Sequence, residues 1–463
     1  MQWTVAKLIE ATGGAHLQGR TDTPVRGICT DTRTLVPGDC FLALSGENHD
    51  GHNFISAALA KHAGAVILER ERPDFGLSSK PAISVIQVQD TLYALGELAR
   101  YIRKQWSIPV VGITGSNGKT STKEMLAGIL GRKRQVLKNK GNFNNLIGVP
   151  LTLLSLQPHH QAAVVEMGIN VPGEMLRLAE ICSPTVGLVT NVHPAHLEGL
   201  ESLDRILEEK TGLWSALRPE DLAVVNLDDD RLARFSATLG CRTVTYSLKD
   251  PAARVRLVGD VETTEESSVF RAKLGNDEIS VRLPVLGLHQ VQNALAAAAA
   301  AWGMGESPET IAEALGMHQP VVQRMQLHRL PDGRVLMDDT YNANPKSMLA
   351  AVRTVLSTSR GKPVLAVLGE MKELGPESDL LHYEVGREVG ELGPGQLVTF
   401  GEKAIEIARG AMEAGMSPSA CFHARTHEEA VAWIREHSLE NGWILVKGSR
   451  GMRMEHIVEG ILA

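Results

Sequence analysis

The chain has 463 residues, of which 43% are hydrophobic and 22% charged, and its formal net charge is −7. This length and composition predict a large globular protein of two or three domains, each burying its own core. No lysine or arginine cluster is long enough to follow a nucleic-acid backbone, so a nucleic-acid partner is not expected.

The chain carries no sign of export or of membrane insertion. Its first residues, MQWTVAKLIEATGG, lack the apolar core of a signal peptide, and no stretch reaches the ~18 apolar residues of a membrane span. Its five cysteines show no CxxC spacing, which favours reduced thiols over disulfides or a zinc site. We therefore expect a cytoplasmic protein.

Residues 1 to 88 predict a small N-terminal domain of short strands joined by polar turns. In its loops, Arg33 can recognise a phosphate or a carboxylate bidentately. The stretch Gly46 to His52 would let the backbone approach a ligand, although Asp50-Gly51 is equally typical of an ordinary turn. The expected strands are Gly27 to Thr30, Cys40 to Leu44, Ala65 to Leu68 and Ile83 to Val88.

A glycine-rich stretch at 114–120, TGSNGKT, follows an apolar run, Ile108 to Ile113, and precedes a helical pattern, Ser121 to Leu130. A strand that ends in such a loop directs several N–H groups and a helix N-terminus at one point, which suits a triphosphate. Lys119 adds a point charge for the outer phosphates, and the Thr120 hydroxyl can hold Mg²⁺. The loop is shorter than the common phosphate-loop pattern, and a helix-capping turn is the alternative interpretation.

From residue 89 to residue 318, strands and helices alternate, which predicts a central and mostly parallel sheet covered by helices. Residues 244 to 286 instead show the pattern of antiparallel strands. The main expected elements are the helices Asp90 to Lys104, Gly173 to Ile181, Ser202 to Leu217 and Gln290 to Trp302, and the strands Gln161 to Met167, Thr185 to Asn191, Leu222 to Asn226, Ser268 to Lys273 and Ile279 to Leu283.

Four residues of this region are candidates for chemistry. Glu166 and His193 follow consecutive strands, so both are expected at the sheet edge where ligands bind. A carboxylate there can hold Mg²⁺, and an imidazole contact would indicate tolerance of Mn²⁺. A solvent-facing glutamate and a loop histidine are the alternatives. Taken alone, Lys210 is typical of a surface lysine, and Asn293 of either a helix–helix hydrogen bond or a base contact.

Residues 319 to 463 begin a second alternating series, which predicts a Rossmann-like domain. Arg324 and the polar stretch DDTYNANP at 338–345 open this region; the alternative for the stretch is a strand-to-helix turn with an N-cap. The expected strands are Arg334 to Asp338, Val364 to Leu368, Gln396 to Phe400 and Trp443 to Lys447, and the expected helices include Glu402 to Glu413 and Thr426 to His437. The predicted fold is thus α/β with three domains: a small N-terminal substrate domain, a central phosphate-loop domain and a C-terminal Rossmann-like domain.

The chain resembles the Mur ligase superfamily along its whole length. The motifs that carry the resemblance are, in chain order, TGSNGKTS, VEMG, TNVHPAHL, GLHQVQNALAA, QRM and DDTYNANP. Four stretches, at 31–54, 141–154, 338–348 and 368–375, are similar to the branch that adds a dipeptide. The Asp-Asn-Pro-Arg element of the diaminopimelate- or lysine-adding relatives is absent.

The resemblance implies an ATP-dependent, ADP-forming peptide ligase of cell-wall precursor synthesis. It would join UDP-MurNAc-tripeptide to D-Ala-D-Ala through an acyl phosphate, use Mg²⁺ and act as a monomer. Three alternatives remain open: a sister ligase that adds one amino acid, a phosphate-loop kinase, and a nucleotide or UDP-sugar sensor without catalysis.

The resemblance also implies roles for individual residues. Those implied for ATP are Thr114, Gly115, Ser116, Asn117, Gly118, Lys119, Thr120, Asn293, Arg324, Asp339 and Asn342. Those implied for metal ions are Thr120, Glu166, His193 and Lys210, the last as a carbamate. Those implied for the UDP-sugar or its peptide are Thr32, Arg33, Ser45, Gly46, Asp50, Gly51, His52, Asn144 and Asn145. Those implied for catalysis are Lys119, Glu166, His193, Lys210 and Arg324.

Overall fold

The structure is a computed structural model that describes residues 3–46, 49–70, 75–77, 80–194, 197–200 and 202–463. Residues 47–48 of the predicted ligand loop and 195–196 of the TNVHPAHL stretch lie outside these ranges. The chain forms two compact units. The first comprises Met1–Val110, Leu137–Met167 and Leu176–Pro184, and the second comprises Val111–Val136, Gly168–Met175 and Thr185–Ala463.

Helices and strands alternate through most of the described chain. The helices are α1 (Val5–Thr12), α2 (Ile55–Ala60), α3 (Thr91–Arg103), α4 (Lys119–Leu130), α5 (Gly148–Leu154), α6 (Glu174–Cys182), α7 (Leu197–Leu200), α8 (Leu203–Ser215), α9 (Asp230–Ser236), α10 (Leu288–Gly303), α11 (Pro308–Gly316), α12 (Pro345–Thr358), α13 (Ser378–Leu392), α14 (Ile405–Glu413), α15 (His427–His437) and α16 (Glu455–Leu462). The strands are β1 (Trp3–Thr4), β2 (Ala15–Gln18), β3 (Pro24–Val25), β4 (Ile28–Cys29), β5 (Cys40–Leu42), β6 (Ala65–Leu68), β7 (Ser84–Gln87), β8 (Val110–Thr114), β9 (Val136–Lys138), β10 (Ala162–Glu166), β11 (Val186–Val189), β12 (Leu222–Asn226), β13 (Arg242–Ser247), β14 (Val255–Thr263), β15 (Ser268–Leu274), β16 (Asp277–Leu283), β17 (Gln326–Arg329), β18 (Val335–Asp339), β19 (Val364–Gly369), β20 (Gln396–Phe400), β21 (Cys421–Ala424) and β22 (Trp443–Lys447).

The first unit contains a five-stranded sheet in the order β2-β7-β6-β5-β4. Strands β4 to β7 are parallel, and β2 joins β7 antiparallel. The central strands β5 and β6 are buried on both faces, as continuous apolar runs in parallel sheets usually are. Their core includes Phe41, Ile55, Val66, Leu68 and Val85.

In the second unit, seven strands follow the order β16-β15-β14-β13-β12-β11-β8. The pairs from β8 to β14 are parallel, and β14, β15 and β16 are antiparallel. Both features confirm the strand arrangement predicted from the sequence. The alanine-rich helix α10 is buried along most of its length and packs against α4, because small side chains allow a close approach.

The C-terminal sheet has the order β17-β18-β22-β19-β20-β21, with every pair parallel except β17 with β18. One face packs on α12, α13 and α14, and the other face packs on α15 and α16. Helices on both faces of a parallel sheet define a doubly wound α/β domain, which confirms the predicted Rossmann-like class.

The three-domain α/β class is therefore confirmed, while the boundaries after residues 88 and 318 remain a prediction. Helices α12 and α13 fill the gaps between predicted strands, as the alternating pattern predicted, and Asn344 and Ser347 form a complete capping box at the start of α12. None of the helices in the described ranges combines the length and hydropathy needed to cross a membrane.

Replacing Leu445 by Ala should destabilise the C-terminal domain by about 2–5 kcal/mol, because this fully buried side chain in β22 leaves a cavity when truncated. Leu439→Ala is the matched control, since that leucine is 54% exposed and should change stability by less than about 0.5 kcal/mol. Urea unfolding monitored by circular dichroism measures both variants. Equal midpoints for the two would contradict the packing described here.

Candidate active site

The loop between β8 and α4 depends on two glycines with positive φ, +142° at Gly115 and +83° at Gly118. A Cβ on Gly115 would lie 1.8 Å from the Thr190 Oγ1, and one on Gly118 would lie 2.1 Å from the Asn293 Oδ1. Side chains at either position would therefore clash as well as strain the backbone. Helix α4 begins at Lys119, so the loop directs a helix N-terminus at one point, as the sequence predicted.

Two cationic side chains converge on this loop. The Lys119 amine donates to the carbonyls of Gly115 (2.6 Å) and Ser116 (3.3 Å). Arg324 donates from Nη2 to the Thr120 Oγ1 at 2.9 Å, and its guanidinium stacks on the Tyr341 ring, 4.1 Å from the centroid. The buried Nε of Arg324 has no hydrogen-bond partner among the described residues. The loop thus presents a donor geometry suited to an anion.

The segment that follows β11 stabilises the conformation of the same loop through hydrogen bonds. The Asn117 N–H donates to the Asn191 Oδ1 at 2.9 Å, and the Thr190 hydroxyl donates to the Asn117 carbonyl at 2.6 Å. Ser116 and His193 also bond through the serine hydroxyl and the histidine backbone, at 2.8 and 2.9 Å. The structure therefore brings His193 to the phosphate loop, as its position after β11 predicted.

Burial lowers the pKa of His193 below its usual value, against an opposing effect from Asp229. The imidazole is then neutral near pH 7, which is the form that binds a metal ion. Asp229 accepts the N–H of Val192 at 2.7 Å and so fixes the backbone beside His193. Sequence reasoning missed Asp229, although it lies just past the carboxyl end of β12, where functional residues are expected.

Lys210 on α8 is buried, with 1% of its surface exposed. Its pKa is lowered well below the usual value by burial, with a further contribution from the charge of Lys119. The interpretation of Lys210 as a surface lysine was wrong. The signal was available, because Lys210 follows Ile206 by four residues and precedes Leu213 by three on one buried helix stripe.

The residues at the carboxyl end of β18 form a second set of candidate polar side chains. Asp339 forms an ion pair with Lys447 at 2.6 Å and accepts the N–H of Met325 at 3.2 Å. The same lysine donates to the Asn342 carbonyl at 2.8 Å. Burial lowers the pKa of His289 to about 4, with Asp339 acting in the opposite direction. Sequence reasoning missed Lys447 and His289, since a lysine that ends an apolar strand reads as an ordinary strand boundary.

Asn344 and Asn117 form a reciprocal amide pair, with N···O distances of 2.7 and 3.3 Å. Asn344 also caps α12 by accepting the N–H of Ser347. The N-cap alternative for the DDTYNANP stretch is thus present, together with a direct contact to the phosphate loop. Asn293 donates to Gln290 at 3.1 Å, so its predicted adenine contact stays a prediction.

In the first unit, Glu166 ends β10 with 3% of its surface exposed. The Asn144 amide donates to the Glu166 Oε1 at 2.8 Å, while Asn139 pairs with the backbone N–H and carbonyl of Glu166. Asn145 instead accepts the N–H groups of Ile147 at 3.2 Å and of Gly148 at 2.9 Å, where α5 begins. Glu166 and Asn144 are therefore in direct contact. The predicted roles of Glu166 in binding Mg²⁺ and of Asn144 in binding the sugar or peptide remain predictions.

The N-terminal loop is organised around His52, which is fully buried. Its Nε2 accepts the N–H of Glu69 at 3.0 Å, so in the neutral ring Nδ1 carries the proton and donates to Asp50 at 2.7 Å. Ser45 donates to the Glu69 carboxylate at 3.0 Å. A Cβ on Gly51 would lie 2.7 Å from the backbone N and O of Leu44, which explains the glycine there.

The remaining N-terminal candidates have other contacts. The Gly46 N–H donates to the His49 carbonyl at 3.0 Å, and Ser45 and Asp50 form an isolated antiparallel bridge. Arg33 is 88% exposed and pairs with Asp31, and Lys61 donates to the Thr32 carbonyl at 2.7 Å. Sequence reasoning missed Glu69, which follows the predicted strand β6 directly.

Within the described ranges, no group of three or more His, Cys, Asp or Glu side chains could hold a metal ion by itself. This does not conflict with a nucleotide-bound Mg²⁺, because that ion takes few protein ligands and completes its shell with phosphate oxygens and water.

The phosphate loop, its two cations and the doubly wound C-terminal sheet define a nucleotide-binding α/β enzyme class. The chain belongs to the Mur ligase family. Residues 24–103 match the model of the Mur ligase family catalytic domain, 113–301 the Mur ligase middle domain, and 323–450 the Mur ligase glutamate ligase domain.

Individual relatives match along nearly the whole chain. The UDP-N-acetylmuramoyl-tripeptide–D-alanyl-D-alanine ligase of Escherichia coli strain K12 is 36% identical over 99% of this chain and 98% of its own length. MurF from Acinetobacter baumannii superposes with a TM-score of 0.91 at 33% identity, covering 100% of this chain and 99% of that one. MurF from Thermotoga maritima in complex with ADP gives a TM-score of 0.83 at 28% identity, over 94% and 97% of the two chains.

Gly118→Ala should weaken ADP binding by at least ~10-fold, or about 1.4 kcal/mol, because the new Cβ meets Asn293 and the backbone has a positive φ. Gly128→Ala on the same helix is the control, since its Cβ meets nothing within 4 Å and alanine favours the helix. Calorimetric titration of each variant with ADP measures the difference. Unchanged affinity in Gly118→Ala would contradict the proposed loop geometry.

Proposed function

We propose that this protein is the ATP-dependent ligase that joins UDP-MurNAc-tripeptide to D-Ala-D-Ala, releasing ADP and phosphate in peptidoglycan precursor synthesis. The observation that carries the proposal is the full-length similarity to ligases of that name, at 36% identity over 99% of the chain. The convergence of Lys119 and Arg324 on the phosphate loop supports the same function.

The reaction needs a leaving group because a carboxylate is a poor electrophile. A carboxylate oxygen of the tripeptide attacks the γ-phosphorus of ATP, and ADP leaves, giving an acyl phosphate. The neutral amine of the dipeptide then attacks the acyl carbon, phosphate leaves, and the amine loses a proton as the peptide bond forms. Phosphoryl transfer of this kind depends mainly on positioning and on neutralising charge.

Lys119 and Arg324 supply that neutralisation in our proposal. Both are held at the loop by short hydrogen bonds, and the orphaned Nε of Arg324 leaves a donor available for a phosphate oxygen. The stack on Tyr341 keeps the guanidinium in place before the nucleotide arrives. We further propose contacts of Asn293 and Asn342 with the adenine and of Asp339 with the ribose.

Magnesium fits the oxygen donors of this chain. We propose Thr120 and Glu166 as ligands of one ion, and His193 and carbamylated Lys210 as ligands of a second, with Mn²⁺ tolerated. The hydroxyl of Thr120 and the buried carboxylate of Glu166 are hard oxygen ligands, and the neutral His193 suits the softer ion. Such ions supply charge stabilisation on the phosphate oxygens.

The burial of Lys210 supports carbamylation, because burial lowers the pKa of its amine and so favours the neutral form. A neutral amine attacks CO₂ and loses one proton, so a buried cation becomes an anionic carbamate. The change removes the repulsion between Lys210 and Lys119 and provides oxygen donors for a metal ion.

The remaining assignments are proposals for the first unit. Ser45, Gly46, Asp50, Gly51 and His52 would bind the UDP-sugar, together with Thr32 and Arg33, and Asn144 and Asn145 would contact its sugar or peptide. The hydrogen bonds of His52 with Asp50 and Glu69 support this assignment, because they fix the conformation of the loop before a ligand binds. We also propose a monomer that acts in the cytoplasm.

Phosphate release with ATP, Mg²⁺ and UDP-MurNAc-tripeptide should depend on D-Ala-D-Ala and should be much lower with single amino acids. The product should be UDP-MurNAc-pentapeptide by mass. If only a single amino acid supports release, on a shorter UDP-MurNAc-peptide, the ligase chemistry stands and the choice of acceptor is wrong. ADP formation without free phosphate would indicate a kinase instead.

Removing dissolved CO₂ by prolonged dialysis should lower turnover, and added bicarbonate should restore it, because the Lys210 carbamate forms reversibly. Lys210→Ala should be inactive with or without bicarbonate. Turnover of the unsubstituted enzyme that is indifferent to CO₂ removal would argue against the modification.

A further inference from the structure

Arg324 lies between two residues whose backbone has the left-handed conformation. The φ angle is +59° at Gln323 and +54° at Met325, and neither residue is a glycine. Residues other than glycine rarely adopt this conformation, because their Cβ crowds the backbone. Residues held in such conformations cluster at functional sites, where the surrounding structure maintains them. Two of them around one arginine indicate that the backbone specifies the direction of that arginine.

A tight turn holds Gln323 in this conformation. The Arg324 N–H donates to the Val321 carbonyl at 3.1 Å, so Gln323 is the third residue of a four-residue turn. Turns with a positive φ at the third position normally have glycine or asparagine there. The Gln323 N–H donates to the Gln326 Oε1, and the Gln323 carbonyl accepts the Tyr341 N–H, both at 3.2 Å. Both backbone groups of Gln323 are thus bonded, which offsets the strain.

Two kinds of contact hold Met325. Its N–H donates to the Asp339 Oδ1 at 3.2 Å, and Asp339 is fixed in turn by its ion pair with Lys447. The Met325 side chain is buried in the core of the C-terminal domain, in one cluster with Val335 and Met337. The left-handed conformation at Met325 is therefore maintained by the carboxyl end of β18 and by the core beneath it.

Between these two residues, the Arg324 side chain reaches the phosphate loop. Its Nη2 donates to the Thr120 Oγ1 at 2.9 Å, and its guanidinium stacks on the Tyr341 ring. Its buried Nε has no hydrogen-bond partner among the described residues. A free arginine side chain has many rotamers, so holding it in one of them costs entropy. A backbone that already directs the Cα–Cβ bond towards the loop reduces the number of rotamers to be excluded.

We propose that Gln323 and Met325 are positioning residues, whose left-handed backbone directs Arg324 at the outermost phosphate of the bound nucleotide. This inference rests on the proposed function, which assigns Arg324 to the phosphates of ATP. Both residues act through Arg324 and do not need to touch the nucleotide themselves. Because Asp339 holds the Met325 N–H and is itself proposed for the ribose, one carboxylate couples the two ends of the nucleotide site.

A positioning role of this kind affects one phosphate and not the whole nucleotide. ADP lacks the outermost phosphate, so the affinity for ADP should not depend on the direction of Arg324. A non-hydrolysable ATP analogue with a methylene group between its β- and γ-phosphates carries that phosphate and should lose affinity when Arg324 is misdirected. The ratio of the two affinities therefore reports on positioning, whereas a general structural defect lowers both affinities.

The first test compares Gln323→Gly with Gln323→Val by calorimetric titration with the ATP analogue and with ADP. Glycine adopts the left-handed conformation without strain, whereas a β-branched side chain strongly disfavours it. Gln323→Gly should bind the analogue as the unsubstituted protein does, and Gln323→Val should bind it ~10-fold more weakly. The affinity for ADP should stay unchanged in both. Because both variants lack the glutamine amide, their difference isolates the effect of the backbone.

A second pair of variants tests Met325. Leucine and isoleucine are isomers of similar hydrophobicity, but only isoleucine is branched at Cβ. Met325→Leu should keep its affinity for the analogue, because leucine replaces methionine in cores at little cost. Met325→Ile should lose affinity for the analogue ~10-fold and keep its affinity for ADP. If urea unfolding shows that Met325→Ile is not folded, the variants at the half-buried Gln323 decide the question.

Two controls separate positioning from backbone strain. When Gln323→Val is combined with Arg324→Ala, the loss of affinity for the analogue should not exceed that of Arg324→Ala alone, because a side chain that is absent cannot be misdirected. His62→Val places the same β-branched residue at an exposed position that also has a φ of +59°, in the turn after α2. This variant should be less stable in urea and should leave the affinity ratio unchanged.

Three results would overturn the positioning role. They are equal losses of affinity for ADP and for the analogue in Gln323→Val, full additivity of its loss with that of Arg324→Ala, and equal binding of the analogue by the glycine and valine variants. Phosphate release that depends on D-Ala-D-Ala reports separately on the proposed function. If that dependence is absent while the glycine and valine variants still differ, the proposed function fails and the positioning of Arg324 stands.

Discussion

The active site depends on how closely the phosphate loop approaches the chain that leaves β11. Gly115 has no room for a side chain beside Thr190, and the hydrogen bonds of Asn117 with Thr190 and Asn191 hold the loop at that distance. Three other candidate residues of the second unit contact the loop or the helix that follows it. His193 shares the Ser116 hydroxyl, Asn293 faces Gly118, and Arg324 reaches Thr120.

Close packing of this kind concentrates positive charge. Lys119 and Arg324 converge on the loop, and the charge of Lys119 acts on the buried Lys210, where an ammonium would cost much desolvation energy. The structure resolves this by favouring the neutral amine at Lys210 and by bonding Lys119 to the loop carbonyls. The two lysines therefore differ although they interact electrostatically: burial favours the neutral amine at Lys210, whereas Lys119 bonds to the loop carbonyls.

The fold and the site could be predicted from the sequence to different extents. The strands β6, β12, β20 and β22 have the expected bounds, because continuous apolar runs flanked by turns have one interpretation in an α/β chain. The interpretation of Lys210 as a surface lysine was wrong because it considered the charged residue alone. The apolar residues at helical spacing around it indicate a buried face of the helix.

Other functional groups could not be read from the chain because they act through contacts between distant segments. Asp229, His289 and Lys447 acquire their significance only from the neighbours that the fold supplies.

The amide pair between Asn117 and Asn344 connects the phosphate loop to the N-terminus of α12. Asn344 caps the first turn of α12 by accepting the N–H of Ser347, and its amide also donates to and accepts from Asn117 in the loop between β8 and α4. Helix α12 in turn packs its Val352 and Val355 into the core of the C-terminal sheet. A nucleotide that rearranges Asn117 therefore changes the capping of α12. The local opening free energy of that helix becomes a direct reporter of whether the loop is occupied.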